Sequence, residues 1–187
     1  MNEVRTLLLK LALPVSVVLS GPALAESFTL SSATIAQGKS MSRAQEFQGF
    51  GCSGGNQSPQ LSWSGAPAGT EAFAVFAYDP DAPTGSGWWH WQLVNIPKTV
   101  TTLAAGAGAA DKAAPAGSTS LKNDYGAFGF GGACPPEDHG AHRYQFTVFA
   151  LSKKLELPEG ASAALTGYMV RANSIASSTI EALYERK

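Results

Sequence analysis

Two stretches carry the residue types that do chemistry. The first, YDPDAPTGSGWWHW (Tyr78 to Trp91), sets Asp79 and Asp81 on either side of Pro80 and follows them with Trp88, Trp89, His90 and Trp91. The second, GFGGACPPEDHGAHRYQF (Gly129 to Phe146), runs through Gly131, Gly132, Cys134 and Pro136 to His139, His142, Arg143 and Tyr144. Pro80 and Pro83 fix the backbone, so a rigid turn presents both carboxylates. The plain alternative is an Asx-type turn in which the aspartates bond only nearby N–H groups. The neighbouring residues favour a site. If the run ending at Asp79 pairs as a hairpin with the run starting at His90, then Asp79 meets His90, fixes its tautomer and favours its charged form.

The second stretch supplies donors. Glycines in GFGGACPP let backbone N–H groups turn inward to make an anion-accepting concavity, with Gly131 and Gly132 in its wall and Pro135-Pro136 stiffening it. His142 and Tyr144 are two apart at the start of an extended run, so they share a face and can donate to one oxyanion, while Arg143 points the other way. Ionised Asp79 and Asp81 repel a phosphate group placed directly against them. Their expected work is therefore to orient and charge the histidines, or to accept from the ammonium of a zwitterion such as phosphoethanolamine. Trp88, Trp89 and Trp91 offer apolar surface for the mouth of such a site, with Trp91, inside its strand, better read as core. His139, in the hydrophilic PPEDHGAH, is read as a solvated loop residue.

Positioning these groups requires strands. The apolar runs LSWS (61–64), AFAVFAYD (72–79), HWQLVNI (90–96) and RYQFTVFAL (143–151) are short and separated by glycine and proline. In the last of them Tyr144, Phe146 and Val148 alternate with their neighbours, the period of a strand. The run 72–79 is apolar on both faces, as in a central strand covered on both sides. We expect a mainly β protein with a β-sandwich-like core and a few peripheral helices. Residues 104–120 are Ala/Gly-rich and read as a surface excursion. Helical spacing of Ala164, Leu165, Tyr168 and Met169 predicts a helix led in by Pro158 and Glu159, whereas periodicity leaves STIEALYE (178–185) open between helix and strand.

The N-terminus has a basic segment with Arg5 and Lys10, the apolar run Leu11 to Leu19, and Ala23-Leu24-Ala25. This is the pattern of a cleaved secretory signal over 1–25, leaving a single domain over 26–187 and an exported protein, periplasmic or secreted, without a membrane-spanning segment after cleavage. Of 13 basic and 14 acidic residues, Arg5, Lys10 and Glu3 fall in that leader, so 11 against 13 remain and the net charge is −2. With no basic run, a nucleic-acid face is excluded as the main function. In an oxidising compartment Cys52 and Cys134 are most simply a disulfide, which would brace the two loops against each other.

Two enzyme readings are weaker than a binding reading. Gly51 to Gly55 matches G-x-S-x-G, but the following NQSPQLSW, with Pro59, is not the helix that a nucleophile elbow needs. His139-x-x-His142 with Asp79, Asp81 and His90 offers metal-ligating atoms in no recognised zinc pattern. We therefore expect no turnover, no cofactor and no resident metal.

DPDAP, GWWHW and GAHRYQF, in this order and preceded by NQSPQLSW, resemble the phosphatidylethanolamine-binding protein family, in particular its bacterial Raf-kinase-inhibitor-like branch, from FTLSSATI to YERK. The resemblance implies a β-sandwich-like fold with a small surface cavity for phosphate-type anions or phospholipid headgroups. Its ligand-binding residues would be Asp79, Asp81, His90, Pro136, His142 and Tyr144, with Trp88 at the rim and Gly131 and Gly132 in the wall. It also implies a strand for STIEALYE and, as a second function, inhibition of a kinase or protease by docking. Cys134 stands before the double proline where eukaryotic relatives carry glycine, and Trp89 where they tend to carry a second histidine, so cytosolic kinase partners do not transfer.

Overall fold

The large sheet is built around the chain's most apolar run. In β5 (Ala72–Asp79) only Tyr78 is not fully buried. Phe73, Val75 and Ala77 point into one core, while Ala72, Ala74 and Phe76 point into another. Both faces of this strand are therefore covered, as its sequence requires. β5 lies between β6 (Trp88–Pro97) and β9 (His142–Leu151). The sheet is completed by β8 (Thr119–Ser120) and β10 (Ser174–Tyr184), giving the order β10-β9-β5-β6-β8, antiparallel throughout.

A second antiparallel sheet, β1 (Thr29–Ser31), β4 (Leu61–Ser64) and β7 (Thr102–Leu103), covers the first face. Leu61, Trp63 and Leu103 meet Phe73, Leu93, Phe146 and Val148 there. The other face is covered by α1 (Ala163–Asn173), whose Val170 packs with Phe76, Val94 and Phe149. Each such side chain fully withdrawn from water contributes about 1.5–3 kcal/mol. The protein is mainly β, a sandwich with a helix on one side. β2 (Gln48–Gly49) and β3 (Cys52–Ser53) form a separate hairpin.

The computed structural model describes residues 27–112 and 114–187, so the expected signal segment, 1–25, lies outside the described residues. Among the described residues no helix is long and apolar enough to cross a membrane.

Several expectations need correction. The cap of α1 is Ser162, whose hydroxyl accepts the Leu165 N–H at 3.1 Å, rather than Pro158 or Glu159. Its inward residues are Thr166, Gly167 and Val170, and Tyr168 is 71% exposed. The segment that periodicity left open, 178–185, is strand as far as Tyr184, as the resemblance implied, within β10, which starts directly after the helix. The Ala/Gly-rich excursion also packs. Gly108 is seated so tightly that a Cβ there would fall 2.9 Å from Trp91 and Phe130, and the segment ends in β8, which protects the edge of β6.

Candidate functional site

Three strand ends meet at one place. Asp79 is the last residue of β5, Trp88 the first of β6 and His142 the first of β9. Around them a cavity of about 160 Å³ is lined at its floor by Asp79, His90, His142 and Tyr144, and at its walls by Trp88, Tyr125, Phe50 and Pro135-Pro136. The expected residues Asp79, His90, Pro136, His142, Tyr144 and Trp88 thus come together. Ala82, Pro83, Thr84, Tyr125 and Phe50 also line it. Pro83 and Thr84 belong to the turn already singled out, while the two aromatic rings carried no signal in the sequence beyond glycine neighbours.

The partner of Asp79 is His142. His142 Nδ1 donates to Asp79 Oδ2 at 2.7 Å, with both side chains buried, and Asp79 Oδ1 accepts the Asp81 N–H at 2.8 Å. This corrects the expected pairing of Asp79 with His90. A bulge explains where His90 goes. Ala77 faces Trp91 and Tyr78 faces Trp89, so His90 is the extra residue in β6, and the local kink re-aims its ring. His90 Nδ1 bonds the Gly131 carbonyl at 2.7 Å. A carbonyl only accepts, so Nδ1 carries the hydrogen and Nε2 is a bare acceptor. Burial holds His90 below the ordinary histidine range, outweighing the Gly131 carbonyl and the Asp79 carboxylate, which act the other way.

His139 also departs from expectation. Although exposed, it approaches His142 Nε2 through its Nδ1 at 2.7 Å, extending a chain from the Asp79 carboxylate through His142 to the surface. The His-x-x-His spacing was its signal, weighed above only as a metal pattern. Among the described residues no group of three or more His, Cys, Asp or Glu is arranged to hold a metal ion.

Two further groups from the expected ligand set do other work. Asp81 does not line the cavity; it accepts from Arg143 Nε at 2.9 Å, Nη2 at 2.7 Å and the backbone N–H at 2.8 Å. Those Arg143 bonds hold the Asp81 carboxyl at about 2. Gly131 and Gly132 form no inward nest. The Gly131 N–H donates to the His90 carbonyl, that of Gly132 to Asn56 Oδ1, and that of Ala133 to the Gln45 carbonyl. The glycines are needed for close approach instead, since a Cβ on Gly131 would stand 2.5 Å from the Tyr125 ring. Trp89 is not at the mouth either: it packs against Phe76 and Tyr78 beneath α1. Trp91 is core, as read.

What remains around the cavity is a set of unmade bonds. Trp88 Nε1, His90 Nε2 and Tyr144 Oη are buried without a partner. Each such atom costs roughly 1–3 kcal/mol, and three of them on one small cavity mark a place for a polar guest. Burial, followed by the Asp79 charge, raises the Tyr144 phenol well above its usual range, so it stays a donor.

The disulfide joins Cys52 to Cys134, with Cα atoms 6.0 Å apart, and so ties the β2–β3 hairpin to the cavity wall. Tyr184 Oη donates to the buried Glu46 Oε2 at 2.6 Å, and Glu46 Oε1 accepts the Ser53 N–H at 2.9 Å, fixing the same hairpin to β10.

Known proteins resemble this chain in sequence and fold. UPF0098 protein YbcL of Escherichia coli (strain K12) is 56% identical over 143 residues, covering 75% of this chain and 78% of that protein. The crystal structure of E. coli YbcL, described as a new member of the mammalian PEBP family, superposes with a TM-score of 0.83 at 52% identity, covering 86% of this chain and 99% of that one. The protein named putative lipoprotein LppC of Mycobacterium tuberculosis (strain H37Rv) is 42% identical over 114 residues, covering 60% of this chain and 52% of that protein. The model of the family described as phosphatidylethanolamine-binding protein matches residues 31–185, and the chain belongs to that family.

Proposed function

We propose that the protein is an exported, single-domain binding protein whose cavity takes the phosphoryl end of a small headgroup, phosphoethanolamine-like, without turning it over. The observation that carries this reading is the trio of buried, unpartnered polar atoms, Trp88 Nε1, His90 Nε2 and Tyr144 Oη. Two are donors for phosphoryl oxygens. The third, a bare acceptor, suits the proton of a monoprotonated phosphoryl group. The cavity is well below the roughly 300–1,000 Å³ of drug-sized sites, in keeping with a headgroup rather than a large molecule.

Neither the cysteine nor the threonine at the cavity offers a free nucleophile. Cys134 is in the disulfide and the Thr84 hydroxyl donates to the Gly87 carbonyl. Export, to the periplasm or beyond, is supported by that disulfide, by the leader pattern over 1–25 with the mature domain over 26–187, and by a relative named as a lipoprotein.

The test is calorimetric titration of the oxidised protein with phosphoethanolamine, beside Tyr144→Phe. Removing a hydroxyl without a partner leaves the fold intact, whereas losing a hydrogen bond to a charged ligand costs roughly tenfold or more in affinity. An unaffected Tyr144→Phe, or a wild type that binds no phosphoryl compound, overturns the reading.

A further inference from the structure

We propose that the Cys52–Cys134 bridge is an exchangeable one: a low-molecular-weight thiol entering the cavity attacks Cys134, and Arg186 stabilises the Cys52 thiolate that leaves.

The two sulfurs stand in unlike places. Cys134 is half-buried and lines the cavity beside Pro135 and Phe50, whereas Cys52 is buried in β3 and does not line it. A thiolate that comes in through the cavity therefore meets Cys134.

Arg186 accounts for the leaving side. Its Nη1 donates to Cys52 Sγ at 2.9 Å and to Cys134 Sγ at 3.4 Å, with the side chain only 17% exposed. Sulfur in a disulfide is a weak acceptor, so a guanidinium largely withdrawn from water against it is poorly compensated while the bridge is closed. A thiolate in the same place is a full anion and satisfies that charge. The ion pair of Nη2 with Glu137 does not explain the placement, because Glu137 is 66% exposed and a pair so open to water contributes little. Cys52 is the nearer sulfur. A guanidinium beside it favours its thiolate, and a better-stabilised thiolate leaves faster.

The hairpin supplies an independent reason. Phe50 and Gly51 connect β2 to β3 with φ of 53° and 83°, and a Cβ on Gly51 would stand 3.6 Å from Arg186 Nη1. Left-handed backbone at both positions suits Asn-Gly or Asp-Gly and strains a phenylalanine. Cys52 follows directly, so the closed bridge pins the strained tip and its opening frees it. Disulfides that are strained or accessible are the ones that exchange.

The step balances without an outside oxidant or reductant. The small thiol gives its proton to solvent, and its thiolate forms an S–S bond to Cys134 Sγ as the bond to Cys52 breaks. The electron pair leaves on Cys52 Sγ, facing Arg186. The product is a mixed disulfide on Cys134, and attack by the waiting Cys52 thiolate expels the small thiol again when its concentration falls.

The experiment treats the oxidised protein with 2-mercaptoethanol at pH 7.5, quenches with acid at short times and locates adducts by peptide mass mapping, for wild type and Arg186→Gln. Both keep the bridge, and circular dichroism checks that both are folded. Wild type should form its first adduct on Cys134, roughly three- to tenfold faster than Arg186→Gln. Loosening of the loop alone would make the variant faster, so the direction of the change separates charge from a structural role. In a second readout, the Cys52 thiolate of Cys134→Ser, followed by its ultraviolet absorbance, should form at lower pH than in Cys134→Ser combined with Arg186→Gln. Where Cys134→Ser does not fold, the rates on the bridged proteins decide. A first adduct on Cys52, no adduct on folded wild type, or an Arg186→Gln rate equal to or above that of wild type overturns the proposal.

Discussion

Asp79 and His142, 63 positions apart in sequence, are joined at 2.7 Å through Oδ2 and Nδ1 in the interior of the molecule. The pair exists because β9 lies directly beside β5, so the end of one strand abuts the start of the other. A carboxylate in such a position depends on its partner. His142→Ala leaves Asp79 buried without its ring donor, and we expect a loss of about 3–5 kcal/mol in chemical denaturation. Asp79→Asn combined with His142→Gln should cost less than the sum of the single changes, because each partner's loss is counted twice in that sum. A single His142→Ala variant within about 1 kcal/mol of wild type would sink this account.

His90 makes stability depend on pH in the acid direction. Burial keeps the folded side chain below the ordinary value near 6.5, so on acidification the unfolded chain takes the proton first. Stability therefore rises with pH up to about 6.5 and is lost progressively below it, by no more than about 2 kcal/mol from this residue at pH 5. Thermal unfolding at pH 7.5 and 5.0 reads the effect, and His90→Gln should reduce the difference. Ligand binding has the opposite slope. A bare Nε2 accepts a proton from a monoprotonated phosphoryl group, whose second ionisation lies near 6, so affinity should weaken above that pH. A flat affinity profile from pH 5 to 8 would remove His90 from contact with the ligand.

The contrast between Asp79 and His90 shows where sequence reading reaches its limit. Alternation in 143–151 and continuous apolarity in 72–79 made the central strands legible, and the two cysteines made their bridge legible. The meeting of both motif loops followed from strand ends. Partner choice did not. His90 is nearer to Asp79 in sequence, but β5 has a neighbour on each side, and the bulge at His90 turns its ring to Gly131 while β9 delivers His142. Nor does a glycine-rich stretch reveal whether its N–H groups are free. Here Asn56, Gln45 and His90 take them, contacts made across the fold. Phe50 and Tyr125 reach the cavity through the β2–β3 hairpin and an irregular loop, neither of which has a period to read.

Asp81 should prove structural. Hydrogen bonds from Arg143 hold its carboxyl at about 2, against 3.8 ordinarily. The stabilisation it brings is present above about pH 4 and disappears as pH falls toward 2. The Arg143 side chain is 49% exposed, so screening reduces the effect to about 1 kcal/mol. Asp81→Asn should lose that amount at pH 7 and nothing near pH 2. Its affinity for phosphoethanolamine should stay within about twofold of wild type, because the carboxylate faces Arg143 and not the cavity. A tenfold loss of affinity would return Asp81 to the ligand set.

The Cys52–Cys134 bridge should couple stability to binding. It spans 82 positions, and constraining an unfolded loop of that size is worth roughly 4–5 kcal/mol on the chain-entropy model. Reduction, or the double change Cys52→Ala with Cys134→Ala, should lower denaturation stability by a similar amount. One end of the bridge adjoins Pro135 in the cavity wall, and the other closes the hairpin that carries Phe50. Arg186 donates to both sulfurs, at 2.9 and 3.4 Å from Nη1, and also holds Glu137, so the unbridged variant loosens the floor of that loop as well. Under conditions where the variant is still folded, its affinity for phosphoethanolamine should fall, because the hairpin no longer fixes Phe50 against Tyr125 in the cavity wall. A variant that is destabilised yet keeps the full affinity would assign the bridge to stability alone, with the β2–β3 hairpin held in place by Glu46 and Tyr184.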